Sequence, residues 1–332
     1  MTYYEERINE FLNSRTCAAL AVAVFVLASF LAFDAGHFTQ PDTGNGIFYS
    51  LTDNLIANKF LSYGINVLAV LIITNLTMAL NKVYNFVRSV TFVFAATFLA
   101  LELGNPFVMT QFNTGTALIL ATVSLLFTLF SSYQKIGHSQ NSIFLTFAAL
   151  SFCCMFQYAF LVLVVAFAIG FFQMRSMAFR GILAMVIGMI TPFWIMIGLG
   201  IVNPKDATPP QIETIWTELQ AGQVQLAIAF TAAIAILAIL LMMTNLLTIM
   251  NYRLQTRVYN SFIMTLTLVT IAMMCIDYRN MMIYVPLLNW CVAIQVTHTF
   301  TINRHFLRRY ILVIAILAAA FGVYAGYLLE LL

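Results

Sequence analysis

The chain has 332 residues, of which only 8% carry charge (15 Lys and Arg, 12 Asp and Glu), against roughly 25% in ordinary soluble domains. Hydrophobic residues make up 62%, including 30 Phe and 17 Met. So few charges cannot build a water-facing surface, which excludes a soluble globular protein, a disordered chain and a nucleic-acid binder. The five cysteines, an odd number, sit in or beside apolar runs and argue against a disulfide scaffold. What remains is all-α: a polytopic helical membrane protein, one integral-membrane domain over residues 1–332.

In chain order, the leader 1–15 (MTYYEERINEFLNSR) is mixed in charge and sets Tyr3, Tyr4, Ile8, Phe11 and Leu12 at helical spacing. It reads as a cytoplasmic segment lying on the membrane surface or fraying into water. The apolar run 16–33 reads as a signal anchor, not a cleaved signal, because no small-x-small site directly precedes Asp34. Further candidate spans follow at 62–80, 89–103, 116–131, 142–156, 158–173, 181–200, 224–249, 259–276, 282–302 and 309–329, about eleven in all. Two longer polar segments, 34–61 and 201–222, are external; each predicts one short amphipathic helix, and together these would roof an outward-facing cavity. Trp216 in the second suits the membrane interface.

The stretch 142–173 is too long for one span and short for two, and is broken only at Gln157-Tyr158. Charge sorting decides. With the N-terminus cytoplasmic and every run crossing, Arg7, Arg15, Lys82, Arg88, Lys135, Arg175, Arg180, Arg253, Arg257, Arg304, Arg308 and Arg309 face the cytoplasm; Lys59, Lys205 and Arg279 lie outside. That asymmetry follows the positive-inside rule. A single crossing at 142–173 would turn the downstream basic turns outward, so the hairpin is expected, with an external C-terminus. Whether its two arms cross fully or re-enter is left open.

No Walker loop, dinucleotide fingerprint, nucleophile elbow or His-Glu-x-x-His occurs, so no cofactor is implied. The four histidines stand apart from Cys and carboxylates at ligand spacing, so no metal site is expected. Glu102 and His298 lie near span ends and read as terminal residues reaching water or as hydrogen-bonded partners inside the bundle, ahead of a proton relay. Ion-coupled transport is disfavoured accordingly. Asn75, Asn245, Asn289 and Gln295 would line a polar path or bond neighbouring helices. Two external clusters are the candidate sites. In the first, Asp34 stands at the outer end of span one, with Asp42, Asp53 and Lys59 in the same loop. The second is the turn Asp277-Tyr278-Arg279-Asn280. Asp34 and Asp53 are the candidate general base or cation ligand, while Arg279, Lys59 and Asp277 would hold a lipid phosphate. The bland alternative is that these residues cap helices and solvate turns. Gly322 and Gly326 in the last span suit close packing against another span or subunit.

The segment from FNTGTALILATVSLLF to ITPFWIM, with a basic loop, an apolar hairpin and then Arg180, Gly188 and Pro192, resembles a family of multi-pass bacterial inner-membrane proteins known only as a domain of unknown function. The late segment IYVPLLNWCVAIQVTHTFTINRHFLRRYILVIAIL, a Pro286-led span, a basic turn and a final span, is similar to that family too. The resemblance implies a bacterial inner-membrane location and supplies no functional residues. A weaker likeness is to C-superfamily polytopic glycosyltransferases, which place an acidic residue outside the first span, where Asp34 stands, and carry a mid-chain hairpin and basic turn comparable to 142–180. This chain departs from them in its short first external loop, its missing paired acidic motif and its lack of a large periplasmic domain.

Three readings follow. One is an integral subunit or accessory factor of a cell-envelope assembly for export, lipid or glycan handling. The second is an outer-leaflet enzyme acting on a lipid-linked sugar or phospholipid, and the third a flippase or transporter without ion coupling.

Overall fold

A computed structural model of the chain describes residues 14–35, 58–87, 92–105, 109–136, 138–201, 222–249, 253–278, 280–302 and 306–329, with isolated positions in the leader and at Gly46. Among these residues there are eleven α-helices and no strand. They are α1 (Arg15–Ala35), α2 (Lys59–Tyr84), α3 (Val93–Leu103), α4 (Thr114–Ser131), α5 (Gln140–Phe156), α6 (Leu161–Gln173), α7 (Phe179–Gly198), α8 (Gly222–Ile249), α9 (Leu254–Ile276), α10 (Met281–Ile302) and α11 (Phe306–Leu329). Each expected apolar run corresponds to one helix. Eight are long and apolar enough to cross a bilayer unaided; α3, α5 and α6 are shorter. The expected surface helices of 34–61 and 201–222 fall outside the described residues.

The helices alternate in direction, as interhelical bonds show. Ser29 and Tyr63 share a 3.0 Å hydrogen bond, joining the end of α1 to the start of α2. Tyr84 donates to the Phe127 carbonyl, joining the ends of α2 and α4. Residues flanking 140–173 meet: Ser139 Oγ donates to the Ser176 carbonyl at 2.9 Å, and the Gln134 N–H to Met174 O at 3.0 Å. The stretch therefore leaves one end of the bundle and returns to it, as a hairpin pivoting on a 3₁₀ turn at Tyr158–Phe160. Asn85, Gln134 and Arg175, just past α2, α4 and α6, take left-handed backbone (φ 49°, 57° and 54°), a common way for a helix to stop at its C-terminus.

α10 is the axis of the molecule. It packs against α3, α4, α8, α9 and α11, and Leu287, Leu288, Trp290, Cys291 and Val292 are wholly buried. At the periphery, α7 leans chiefly on α5. These two run parallel, with Gly188 over the Phe144 carbonyl and Ser151 Oγ donating to Met189 O at 2.6 Å. The opposite side of α7, including Ile182, Ile190 and Trp194, is exposed apolar surface, suited to lipid and costly in water.

Candidate functional site

The two external clusters are only partly described. Asp34 ends α1 and is exposed; Lys59 begins α2, equally exposed, behind an Asn58 cap whose Oδ1 accepts from the Leu61 N–H. Both flank a ring contact, Phe33 against Phe60 at 6.3 Å, so they share one end of the bundle, but they form no ion pair. Asp53 and Arg279 lie outside the described residues. Asp277 caps the C-terminus of α9. Its Oδ1 accepts from Asn280 Nδ2 at 2.9 Å and its Oδ2 from the Tyr284 hydroxyl at 3.1 Å. Both oxygens thus brace the α9–α10 turn. Gly322 meets open space and Gly326 reaches only Leu226, at 3.7 Å. Among the described residues the pair therefore draws no two helices together.

A different centre emerges inside the bundle, built by the early stop of α3. With 11 residues, α3 is about 16 Å long, half the thickness of a hydrocarbon core. Gly104-Asn105-Pro106 ends it, because a residue before proline is pushed out of the helical region. The stop lies deep: Asn289 Nδ2 donates to the Leu101 carbonyl at 3.3 Å and to Glu102 Oε1 at 3.2 Å. Asn289 is eight residues into α10, about 12 Å along it. Glu102 therefore does not reach water at a span end; it is 2% exposed, inside the bundle. Its only hydrogen-bond partner among the described residues is a neutral amide.

Around this carboxyl group the polar atoms are mostly oxygens with bonding capacity to spare. Asn105, 1% exposed, donates weakly from Nδ2 to Met282 Sδ at 3.6 Å, and its Oδ1 accepts nothing. Asn289 Oδ1 likewise has no partner. Pro286 removes an N–H from α10, which costs Met282 O its intrahelical bond. On α8, the Phe230 ring lies so close over Gly104 that a Cβ there would overlap it; next to Phe230, buried Thr231 has an unpartnered Oγ1. The C-terminal carbonyls of α3 add negative potential.

Between α3 and α4 the backbone is irregular yet buried at Gly104, Asn105, Thr110 and Gln111, and Met109, which is helical, is buried with them. In a membrane that is tolerated only where protein supplies the missing bonds. α2 supplies them. Asn66 Nδ2 donates to the Met109 carbonyl at 3.0 Å, and Ser62 Oγ accepts from the Phe112 N–H at 2.9 Å. Thr116 Oγ1 in turn donates to Asn66 Oδ1 at 2.7 Å. Gly115 lets the start of α4 press onto Ile283 O and Pro286 of α10.

Toward the other end, α10 carries a second polar layer. Gln295 Nε2 donates to Thr267 Oγ1 at 2.9 Å, Asn245 Nδ2 to Gln295 O at 3.2 Å, and Thr299 Oγ1 to Asn245 Oδ1 at 2.9 Å. Gln295 Oε1 is unpartnered, and His298 is buried one turn away. Asn245, Asn289 and Gln295 are thus interhelical bonds, whereas Asn75 faces outward and bonds its own helix at Leu71 O. The signals for this centre were Glu102 and Asn105-Pro106 at the end of a short apolar run. Asn289 could not be matched to them from spacing, being 187 residues away.

The described residues therefore define an all-helical, membrane-embedded protein with a buried carboxyl centre. No protein-family model, curated protein or solved structure matches the chain, so neither likeness drawn from its sequence brings residue roles to this centre.

Proposed function

We propose that this chain is a membrane carrier whose working centre is the Glu102 site. One observation carries the reading: a carboxyl group buried at the end of a half-length helix in mid-bundle, bonded to a single neutral amide. Ionisable residues at such depth are expensive and mark solute or ion pathways. Helices interrupted inside the membrane are a recurring way to present main-chain ends to a solute. In this reading all eleven apolar segments cross, the third with only a half-length helix, and the N-terminus is cytoplasmic, supported by the alternating helix directions and by the basic residues gathered at one end. A bacterial inner membrane is the location that the sequence likeness implies.

The test is side-resolved thiol labelling in proteoliposomes. In a cysteine-free background, Asn105→Cys is expected to react with membrane-impermeant methanethiosulfonates, and the rate from each face to depend on conditions that favour one state. A thiol that reacts from neither face, but reacts rapidly in denaturing detergent, would sink the carrier.

A second reading, an integral subunit of an envelope assembly, is favoured by the outer face of α11, where exposed Ala315, Ala318 and Ala319 continue to Gly322 with nothing against it. Such a stripe suits close helix approach. Purification in mild detergent is then expected to yield a stoichiometric partner that is lost on Gly322→Leu.

A further inference from the structure

We infer that the Glu102 centre binds a desolvated monovalent cation, for which sodium is the probe; this rests on reading that centre as the working site. Glu102, Asn105 and Asn289 bring a carboxyl group and two amide oxygens to the meeting point of α3 and α10, each side chain at most 2% exposed. Both amides spend their Nδ2 groups on other partners, Met282 for Asn105 and Leu101 with Glu102 for Asn289. Their Oδ1 atoms are left without any hydrogen bond. A buried acceptor normally finds a donor. Two of them, one three residues past Glu102 and the other on the amide that bonds it, make an environment short of positive charge.

The fixed charges and dipoles point the same way. A carboxylate inside the bilayer requires a counter-charge, and no Lys or Arg bonds to Glu102 among the described residues. The C-terminal end of α3 carries negative partial charge toward the same point. Leu101 O is at the site, accepting from the same Asn289 amide that bonds the carboxyl group. Carboxylate, amide and main-chain oxygens are hard donors, which suit hard cations and not soft transition metals. Consistent with this, no group of three or more His, Cys, Asp and Glu stands ready for such a metal among the described residues. One formal negative charge balances one positive charge, hence the monovalent class.

Thermal unfolding of the purified full chain in detergent tests the inference, in sodium, lithium, potassium or choline chloride at fixed ionic strength, together with equilibrium binding of radioactive sodium. Wild type is expected to melt several degrees higher in sodium than in choline, saturably, with one ion bound per chain. Glu102→Gln is expected to lose the sodium shift while melting in choline no lower than wild type. Should that variant not fold, Asn105→Ala leaves the carboxyl group in place and is expected to weaken sodium at least tenfold. Equal melting in all four salts overturns the inference, as does a sodium shift that survives Glu102→Gln. A melting point indifferent to the salt but dependent on pH only when Glu102 is present also overturns it, in favour of a proton. The thiol-labelling result separates the two claims. An accessible centre without a sodium effect leaves the carrier and removes the ion, while a sodium effect in a sealed centre leaves the ion as a structural one and removes the carrier.

Discussion

Replacing Asn66 with alanine probes the link between α2 and the irregular loop that holds the end of α3. Two hydrogen bonds set the size of the effect: Asn66 Nδ2 to Met109 O at 3.0 Å and Thr116 Oγ1 to Asn66 Oδ1 at 2.7 Å. Thr116 keeps a weaker alternative acceptor, Asn113 Oδ1 at 3.4 Å, so its loss is partly covered. Met109 O is left with no side-chain donor from α2. Bonds between membrane helices contribute about 0.6 kcal/mol on average and up to about 1.7, and stranding a buried acceptor costs about 1–3 kcal/mol. Together these give a destabilisation of about 2–3 kcal/mol, roughly a 30- to 150-fold shift of the unfolding equilibrium. Reversible unfolding in mixed micelles with increasing dodecyl sulfate measures it. A double-mutant cycle with Thr116→Val isolates the 2.7 Å bond. A loss below about 0.5 kcal/mol would refute the reasoning, since the loop would then hold itself without α2.

Further outcomes follow from close contacts elsewhere. Gly188→Leu is expected to destabilise by more than about 2 kcal/mol, because a Cβ there would lie 2.7 Å from the Phe144 carbonyl; Gly198→Leu, with nothing within 4 Å, is the neutral control, both read by unfolding in detergent. Trp290→Phe removes the 2.9 Å bond from Nε1 to Thr77 Oγ1 at the bundle axis and is expected to cost about 1 kcal/mol, checked the same way. Asp277→Ala and Tyr284→Phe each break the 3.1 Å bond across the α9–α10 turn. Their effects on melting are therefore expected to be less than additive, and full additivity would show that the bond does not form.

Most of the helix plan was legible from the run lengths of apolar residues. The expected 116–131 and 142–156 became Thr114–Ser131 and Gln140–Phe156, and the break at Gln157-Tyr158 became the turn of a hairpin. Charge sorting was informative there because it depends on every downstream loop at once. Position within the bundle was not legible, since an apolar run looks alike whether lipid or protein covers it. The one clue runs against intuition: α10, the least apolar of the eight long helices, is the most buried, while the most apolar, α8, is far less so. Lipid demands an apolar surface from the helices that face it, whereas a protein neighbour can answer Asn289 or Gln295 with a bond. The depth of Glu102 was not legible for a related reason. It stands at the end of its apolar run, where a residue reaching water and a bonded partner inside the bundle read alike. In fact α3 stops at half depth, and Asp34 and Lys59, which do stand at a surface, are joined by no bond.

The position of α10 also imposes an order in time. Glu102 leaves the ribosome on the third helix, but Asn289, the side chain that bonds it, follows 187 residues later. At typical synthesis rates that interval is roughly 10 to 40 s. Throughout it α3 has neither the cap on its last carbonyls nor the amide against its carboxyl group. The early helices can already make their own contacts, such as Asn66 with Met109 and Ser29 with Tyr63, but the end of α3 waits for the tenth. The bundle closes around its axis near the end of translation, so a nascent chain cut short before α10 would retain its hydrophobic helices and lack the element that organises them.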